Sequence, residues 1–173
     1  AEEFEPAADL AFRYDDKIVV EKALTNYREI NCACYKLGGK YVVSPCEEPF
    51  TKNDALTFEE KYVTPAEKKF PADLPESTAV RIRELTAYLY RKLEFGGIIR
   101  VDYLLDGDAV YVNEINSVPG SLAYYLFADD TSGFATILSE VIEESMEKQK
   151  SRKANEYVYK SGILNLDGAK LRK

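Results

Sequence analysis

The sequence of 173 residues is 46% hydrophobic, which is enough apolar material for one domain-sized core. Its net charge of −7 argues against nucleic acid as the main partner, because a phosphate backbone attracts a basic surface. The chain has no histidine, so His-based catalytic triads and the usual zinc sites are excluded.

The cysteines, together with the lack of a membrane-spanning or leader pattern in the sequence, predict a cytoplasmic location. Cys32, Cys34 and Cys46 lack metal-ligand spacing, and the first two fall on one face of a predicted strand. We therefore expect buried, reduced thiols. The sequence shows no apolar run long enough to span a bilayer and no basic-then-apolar leader. We expect a cytoplasmic protein with no membrane partner.

The first half of the chain predicts a short helix followed by three strands. Pro6 opens the helical pattern, and residues 17–22, 29–36 and 40–44 have the character of strands. Residues 45–75 hold five of the seven prolines and many charges. This loop-rich segment is expected to cover a site rather than to build the core.

Two amphipathic helices are predicted in the second half. The pattern Asp73-Leu74-Pro75-Glu76 resembles a capping box and opens the first helix, which Gly96-Gly97 ends. Residues 154–173 form a C-terminal tail after the second helix. The core-facing sides are expected to hold Ala79, Ile82, Thr86, Leu89, Tyr90 and Leu93 in the first helix, and Phe134, Ile137, Leu138, Val141, Ile142 and Ser145 in the second.

A hairpin between these helices carries the most informative residues of the chain. Residues 100–103 and 113–116 are predicted strands, and the Asp-Gly pair within residues 106–108 indicates the turn. If even-numbered residues of both strands share a face, paired residue numbers sum to an even value. That register requires an odd-numbered loop or a β-bulge. One face then holds Arg100, Asp102, Glu114 and Asn116, and the other holds Val101, Tyr103, Leu105, Tyr111 and Ile115.

The polar face of this hairpin gathers oxygen ligands beside a fixed cation, Arg100. Magnesium bound next to a phosphate chain takes one or two carboxylates and keeps phosphate oxygens in its shell. Asp102, Glu114 and Asn116 offer two carboxylates and an amide. A cross-strand Arg–Glu pair on a solvated sheet face is the alternative, and such pairs are common and contribute little. The Pro119-Gly120 turn directly after the Glu-x-Asn pattern favours the metal site.

The hairpin resembles the magnesium-binding end of the ATP-grasp ligases, and within them the D-alanine–D-alanine ligase family. In that family an Arg-Val-Asp strand is followed by an Asn-Glu-x-Asn strand and a Pro-Gly loop, as in residues 100–120. The resemblance implies an α+β fold in which helices flank an ATP-grasp antiparallel sheet. The implied site residues are Arg100 as the catalytic cation, Asp102, Glu114 and Asn116 as ligands of magnesium or manganese, and Gly120 and Ser121 as substrate contacts.

Three upstream segments resemble the ATP contacts of the same family. Glu21-Lys22-Ala23-Leu24 is similar to the hinge that holds adenine, with Glu21, Lys22, Ala23 and Leu24 in those positions. Glu29 stands where a glutamate binds the ribose hydroxyls, and Lys61 stands where a lysine reaches the ATP phosphates. Each residue alone is typical of an ordinary solvated surface. Their order and spacing ahead of the hairpin favour an ATP site.

The resemblance implies an ATP-dependent carboxylate–amine ligase that acts through an acyl phosphate in peptidoglycan precursor synthesis. ATP and a small amino acid would be its substrates, magnesium its cofactor, and a homodimer its state at full length. The family's ligases are longer and carry further domains. Residues 1–173 are therefore expected to be a single C-terminal ATP-grasp subdomain of a longer ligase, inactive in isolation.

The loop after Gly120 departs from the family's pattern. Small hydroxyl residues that contact the second D-alanine are expected there, whereas Ser121 is followed by the apolar and aromatic run Leu122–Phe127. The run is typical of residues that pack against a helix, and it leaves the acceptor amino acid open. Two alternatives follow: an ATP-grasp ligase with a different amino-acid acceptor, or a nucleotide-binding fragment without catalysis.

Overall fold

The computed structural model describes residues 3–49 and 68–153. Four strands form an antiparallel sheet in the order β2 (Lys40–Val43), β1 (Arg28–Leu37), β5 (Ile98–Asp106) and β6 (Ala109–Asn116). In a second, two-stranded sheet β3 (Glu48–Pro49) pairs with β4 (Lys68–Lys69). The α+β prediction, with long helices flanking an antiparallel sheet, is confirmed. The elements are α1 (Phe4–Ala11), β1 (Arg28–Leu37), β2 (Lys40–Val43), β3 (Glu48–Pro49), β4 (Lys68–Lys69), α2 (Glu76–Lys92), β5 (Ile98–Asp106), β6 (Ala109–Asn116), a 3-10 helix (Gly120–Leu126) and α3 (Thr131–Lys153).

The main core lies between α2 and one face of the sheet. Alternate residues of a strand point to the same face, so β1 and β5 each supply every second side chain to this core. Burying each large apolar side chain stabilises the fold by about 1.5–3 kcal/mol. The predicted burial of Cys32 and Cys34 is confirmed, and Cys46 is buried as well. The buried residues are Ile30, Cys32 and Cys34 of β1, Ile99, Val101, Tyr103 and Leu105 of β5, Ile82 and Tyr90 of α2, and Cys46.

The opposite face of the sheet is covered over only part of its area. Phe134 and Val141 of α3 pack with Tyr35 and Ile98 at one end of the sheet. Within the run Leu122–Phe127, the 3-10 helix buries Ala123 and Leu126 against Ala33, and Phe127 packs in both small clusters. The run therefore packs against the core, as its apolar composition indicates. The rest of this face carries the polar side chains of Glu29, Asn31, Arg100 and Asp102, with Leu104 and Tyr111 in the adjacent row.

The hairpin of β5 and β6 uses both a short turn and a β-bulge. Asp106 pairs with Ala109 across a two-residue turn, in which Gly107 adopts a positive φ of 57°. A bulge next to Tyr103 then shifts the register by one residue. One consequence corrects the sequence prediction for Tyr111. Tyr111 pairs with Leu104 and is 48% exposed, whereas Val110 takes the core position.

The predicted strand over residues 17–22 is wrong. This segment has no regular secondary structure, and Val19 and Val20 are 83% and 66% exposed. A strand needs a partner for its backbone N–H and C=O groups, and no strand in the described ranges lies beside this one. The preceding helix α1 is confirmed, although it begins two residues before Pro6 and has no buried residue.

The ends of α2 differ from the predicted signals. The helix begins at Glu76, but its N-cap is Pro75 and no side chain caps it. The Asp73 carboxylate instead accepts a hydrogen bond from Lys69 Nζ at 3.0 Å. At the other end Glu94 adopts the left-handed turn, with φ of 53°, before the two glycines are reached. The tail over residues 154–173 lies outside the described residues.

Candidate functional site

The β-bulge brings the predicted metal ligands to one face of the sheet. Beyond the bulge Asp102 pairs with Glu114, and Arg100 pairs with Asn116. The extra residue is Asn113, because Tyr103 pairs with Val112 and the next pair joins Asp102 to Glu114. Without the register shift of the bulge, Asp102 would pair with Asn113, and the carboxylates of Asp102 and Glu114 would lie on opposite faces. The register condition for the metal site is therefore met.

Arg100 and Asp102 form a bidentate ion pair. Arg100 Nε donates to Asp102 Oδ1 at 2.6 Å, and Nη2 donates to Oδ2 at 2.7 Å. The side chains are 20% and 4% exposed, so the pair is held out of bulk water. Two parallel charge-assisted hydrogen bonds fix the guanidinium plane. The remaining nitrogen, Nη1, donates to the Tyr125 hydroxyl at 3.3 Å.

Asn116 lies between the two carboxylates of the site. Its Nδ2 donates to Asp102 Oδ2 at 3.1 Å and to Glu114 Oε1 at 3.2 Å. A donor placed between two carboxylates occupies the position that a cation would take. If the Asn116 amide rotated by half a turn, its oxygen would face the space between the two carboxylates. Two carboxylates and an amide oxygen around one position fit a divalent ion that prefers oxygen ligands. These two carboxylates do not form part of a larger acidic group, because no cluster of three or more His, Cys, Asp or Glu side chains that could hold a metal ion occurs anywhere in the described ranges.

Burial shapes the electrostatics of this pair. It raises the pKa of Asp102 above its ordinary value, although Arg100 acts in the opposite direction and Glu114 adds to the rise. Burial lowers the pKa of Arg100, but the Asp102 carboxylate outweighs it, and the net pKa is raised. The guanidinium is therefore charged at every working pH. A divalent cation at the site would favour the ionised form of Asp102.

The ribose-binding candidate, Glu29, lies on the same sheet face as the candidate metal ligands. Glu29 pairs with Leu104 and Asn31 pairs with Asp102, so Glu29 is one row from the carboxylates, about 7 Å along the strand. This spacing suits a ligand that carries its phosphates toward Asp102 and its sugar toward Glu29. The structure therefore brings Glu29 together with the hairpin ligands.

The other predicted ligand contacts are less closely grouped. Within the hinge candidate, Glu21, Lys22 and Ala23 are exposed and Leu24 is half-buried. Lys61 lies outside the described residues. The substrate candidates Gly120 and Ser121 are exposed at the start of the 3-10 helix, where Ser121 adopts a positive φ of 51°.

Sequence reasoning missed a second set of polar residues next to the hairpin ligands. Asn31, Glu47, Lys68 and Tyr125 lie on or above the same sheet face. Asn31 could have been found, because it is two residues after Glu29 on the same strand. Lys68 is far from the other residues in the sequence, and no local pattern signals its position.

A sequence profile described as "D-ala D-ala ligase C-terminus" matches residues 1–144 of this chain. The chain belongs to that family. Among its relatives, the D-alanine–D-alanine ligase of Thermosipho africanus is 37% identical over 171 residues, which is 95% of this chain and 46% of that protein. The D-alanine–D-alanine ligase of Campylobacter lari is 40% identical over 132 residues, covering 75% of this chain and 38% of that protein. The chain thus spans less than half the length of these relatives.

Solved structures agree with the family assignment. The D-alanine–D-alanine ligase of Helicobacter pylori superposes with a TM-score of 0.63 and 31% identity, covering 83% of this chain and 39% of that one. The D-alanine–D-alanine ligase of Coxiella burnetii gives a TM-score of 0.65 at 27% identity, covering 88% and 42%. These matches confirm the family that the motif of residues 100–120 indicated, and they confirm its ATP-grasp fold. No helix in the described ranges is both long and apolar enough to cross a membrane.

Proposed function

We propose that this chain supplies the ATP- and magnesium-binding half of an ATP-dependent carboxylate–amine ligase of the D-alanine–D-alanine ligase type. The observation that carries the proposal is the cross-strand pairing of Asp102 with Glu114, which the β-bulge makes possible. The Arg100 guanidinium lies beside this pair and donates two hydrogen bonds to Asp102. Membership of the ligase family supports it. Because the chain covers under half of its relatives, it would act as part of a longer polypeptide.

The proposed reaction has two transfer steps. A carboxylate oxygen of the first amino acid attacks the γ-phosphorus of ATP, and ADP leaves with the electron pair of the broken P–O bond. The amine of the acceptor then attacks the acyl carbon, phosphate leaves, and the amine gives up a proton as the amide bond forms. Both steps depend on positioning and on neutralisation of charge.

Each site residue has a role in this scheme. Magnesium bound by Asp102, Glu114 and Asn116 would neutralise phosphate charge. Arg100, locked in orientation by Asp102, stabilises the transferred phosphoryl group and the oxyanion of the second step. Glu29 accepts hydrogen bonds from the ribose. The remaining proposed contacts are residues 21–24 with adenine, Lys61 with phosphate, and Gly120 and Ser121 with the amino-acid substrate.

D-alanine is the proposed substrate on both sides of the new bond, which would place the enzyme in peptidoglycan precursor synthesis in the cytoplasm. The homodimer stays a prediction. One observation favours the alternative of a different acceptor. The bulky side chain of Tyr125 reaches the site, where its hydroxyl accepts a hydrogen bond from Arg100. A ligase joining another amino acid is therefore the second candidate.

A panel of amino acids tested on the full-length protein distinguishes these candidates. ADP release stimulated by D-alanine, with a dipeptide as product, is the expected result. Stimulation by another amino acid would support the second candidate. Magnesium-dependent nucleotide binding without ADP release under any condition would contradict the ligase proposal and leave a binding domain.

A further inference from the structure

Arg100 has a second fixed partner besides Asp102. Its guanidinium carries five N–H groups, and Asp102 accepts hydrogen bonds from two of them, on Nε and Nη2, at 2.6 and 2.7 Å. The Tyr125 hydroxyl accepts a third, from Nη1, at 3.3 Å. No other residue in the described ranges accepts a hydrogen bond from Arg100, so the remaining N–H groups can point at an anionic ligand.

Asp102 serves two cations in the proposed site. Its carboxylate is the bidentate partner of Arg100 and is also a proposed ligand of magnesium, together with Glu114 and Asn116. A carboxylate that binds a divalent cation has less negative charge to offer to other donors, so its hold on the guanidinium weakens. The Tyr125 hydroxyl takes no part in this competition. It is therefore the contact that can keep Arg100 oriented when the metal ligands are in use.

The ring of Tyr125 is held from two sides. Lys68 Nζ lies 3.9 Å from the ring centre, and the ring of Tyr124 packs edge-on with the two centroids 6.0 Å apart. Lys68 is fixed in turn by an ion pair of 3.2 Å with the buried carboxylate of Glu47. A cation over an aromatic face attracts the ring and limits its movement. The hydroxyl of Tyr125 is thus presented to Arg100 by a ring that is itself restrained.

The backbone that leads to Tyr125 is strained. Ser121, Leu122 and Ala123 all adopt the left-handed conformation, with φ of 51°, 52° and 51°. Residues other than glycine disfavour this conformation, and it is normally found at single positions. Such strain persists only where the surrounding structure enforces it, and it occurs mainly at functional sites. In this chain Ala123 is fully buried, and the strained turn is followed directly by the side chain that reaches Arg100.

We propose that Tyr125 is a positioning residue for Arg100, and that its hydroxyl fixes the Nη1 side of the guanidinium so that the free N–H groups face the reacting phosphoryl group and the oxyanion. The inference rests on the proposed ligase function and adds a residue to it. In this role Tyr125 acts only through Arg100. Its loss should reduce turnover rather than substrate binding, because Arg100 would stabilise charge that develops in the transition state.

The test removes the Tyr125 hydroxyl and leaves the ring. Tyr125→Phe, prepared in the full-length enzyme, keeps the packing against Lys68 and Tyr124. Tyr124→Phe is the matched control, because Tyr124 is adjacent and half-buried, and none of the hydrogen bonds of Arg100 in the described ranges involves it. Steady-state kinetics gives kcat and KM for each variant. Nitrogen NMR of the Arg100 guanidinium, assigned by the loss of its signals in Arg100→Lys, measures rotation about the Nε–Cζ bond at saturating magnesium.

We expect Tyr125→Phe to lower kcat by about tenfold or more, with the KM values for magnesium-ATP and the amino-acid substrate within about twofold of wild type. The Arg100 guanidinium should rotate severalfold faster in this variant at an unchanged melting temperature, whereas Tyr124→Phe should match wild type in both measurements.

An unchanged kcat, or a lower kcat with an unchanged rotation rate, would overturn the positioning role of Tyr125. The rotation rates do not depend on turnover, so they separate this inference from the proposed function. A wild-type enzyme without ligase turnover would refute the ligase function and the catalytic part of the role, while faster rotation in Tyr125→Phe would still establish that Tyr125 orients Arg100.

Discussion

Asp102 lies directly opposite Glu114 because one extra residue, Asn113, separates two registers of the same hairpin. Between the turn and the bulge, paired residue numbers sum to an odd value, as in Leu104 with Tyr111. Beyond the bulge they sum to an even value. β-bulges occur next to active sites because they redirect side chains without breaking the sheet. In this chain the bulge is what places two carboxylates beside Arg100.

Replacing Glu114 by Gln should abolish magnesium-dependent turnover in the full-length enzyme. The substitution keeps the size and the exposed position of the side chain while removing one of the two carboxylates that we propose as magnesium ligands. Thermal unfolding should stay close to wild type, and Glu143→Gln on the exposed side of α3 is the matched control. Activity of the Glu114→Gln variant within a few-fold of wild type would contradict the metal-ligand role.

The buried hydrogen bond between Thr86 and Tyr103 should respond unequally to removal of its two ends. The Thr86 hydroxyl lies 2.7 Å from the Tyr103 hydroxyl and also donates to the Ile82 carbonyl at 2.8 Å. Tyr103→Phe leaves Thr86 with that second partner, so a loss of about 1 kcal/mol is expected. Thr86→Val strands the Tyr103 hydroxyl in the core, at a cost of about 1–3 kcal/mol. Urea denaturation of both single variants and the double variant measures the coupling, and equal losses in the singles would contradict this account.

Stability should fall at alkaline pH because buried acids resist ionisation. Burial raises the pKa of the Cys34 thiol from 9.0 to about 12 and that of the Tyr90 phenol from 10.0 to about 12. The unfolded chain releases these protons at lower pH, so the free energy of unfolding decreases as pH rises from about 9 toward about 12. Cys34→Ala should show a shallower decrease in denaturant titrations over the same range. A flat profile for the wild-type chain would contradict the burial effect.

The isolated 173-residue chain should fold, bind magnesium-ATP weakly and catalyse nothing. The core between α2 and the sheet is sufficient for an independent fold. Glu29 and the candidate metal ligands of the hairpin lie on an incompletely covered sheet face. Glu114 is exposed and the Asp102 carboxylate is already paired with Arg100, so the site should hold magnesium poorly. Calorimetric titration with magnesium-ATP tests this. A dissociation constant in the low micromolar range, or any ligase turnover, would contradict this prediction, because it would show that the isolated chain contains a complete ATP site.

Local patterns in the sequence determined the elements and the face on which the chemistry lies. Strand alternation predicted that Cys32 and Cys34 share a buried face, and helical spacing predicted that Ile82, Thr86 and Tyr90 face the sheet. All five residues are buried. These predictions succeeded because side-chain direction repeats every two residues in a strand and about every 3.6 in a helix, whatever the rest of the fold does. The motif over residues 100–120 likewise identified the family that the profile match confirms.

Tertiary structure alone decided the features that depend on a distant partner. The apolar run at residues 17–22 is not a strand, because no strand in the described ranges pairs with it. Tyr111 lies outside the core because the bulge, and not the turn, changes the register. Asn31, Glu47 and Lys68 meet in one row only because β1, β3 and β4 lie side by side. Such contacts join residues that are far apart along the chain, and a local pattern holds no information about which distant residue will lie across from it.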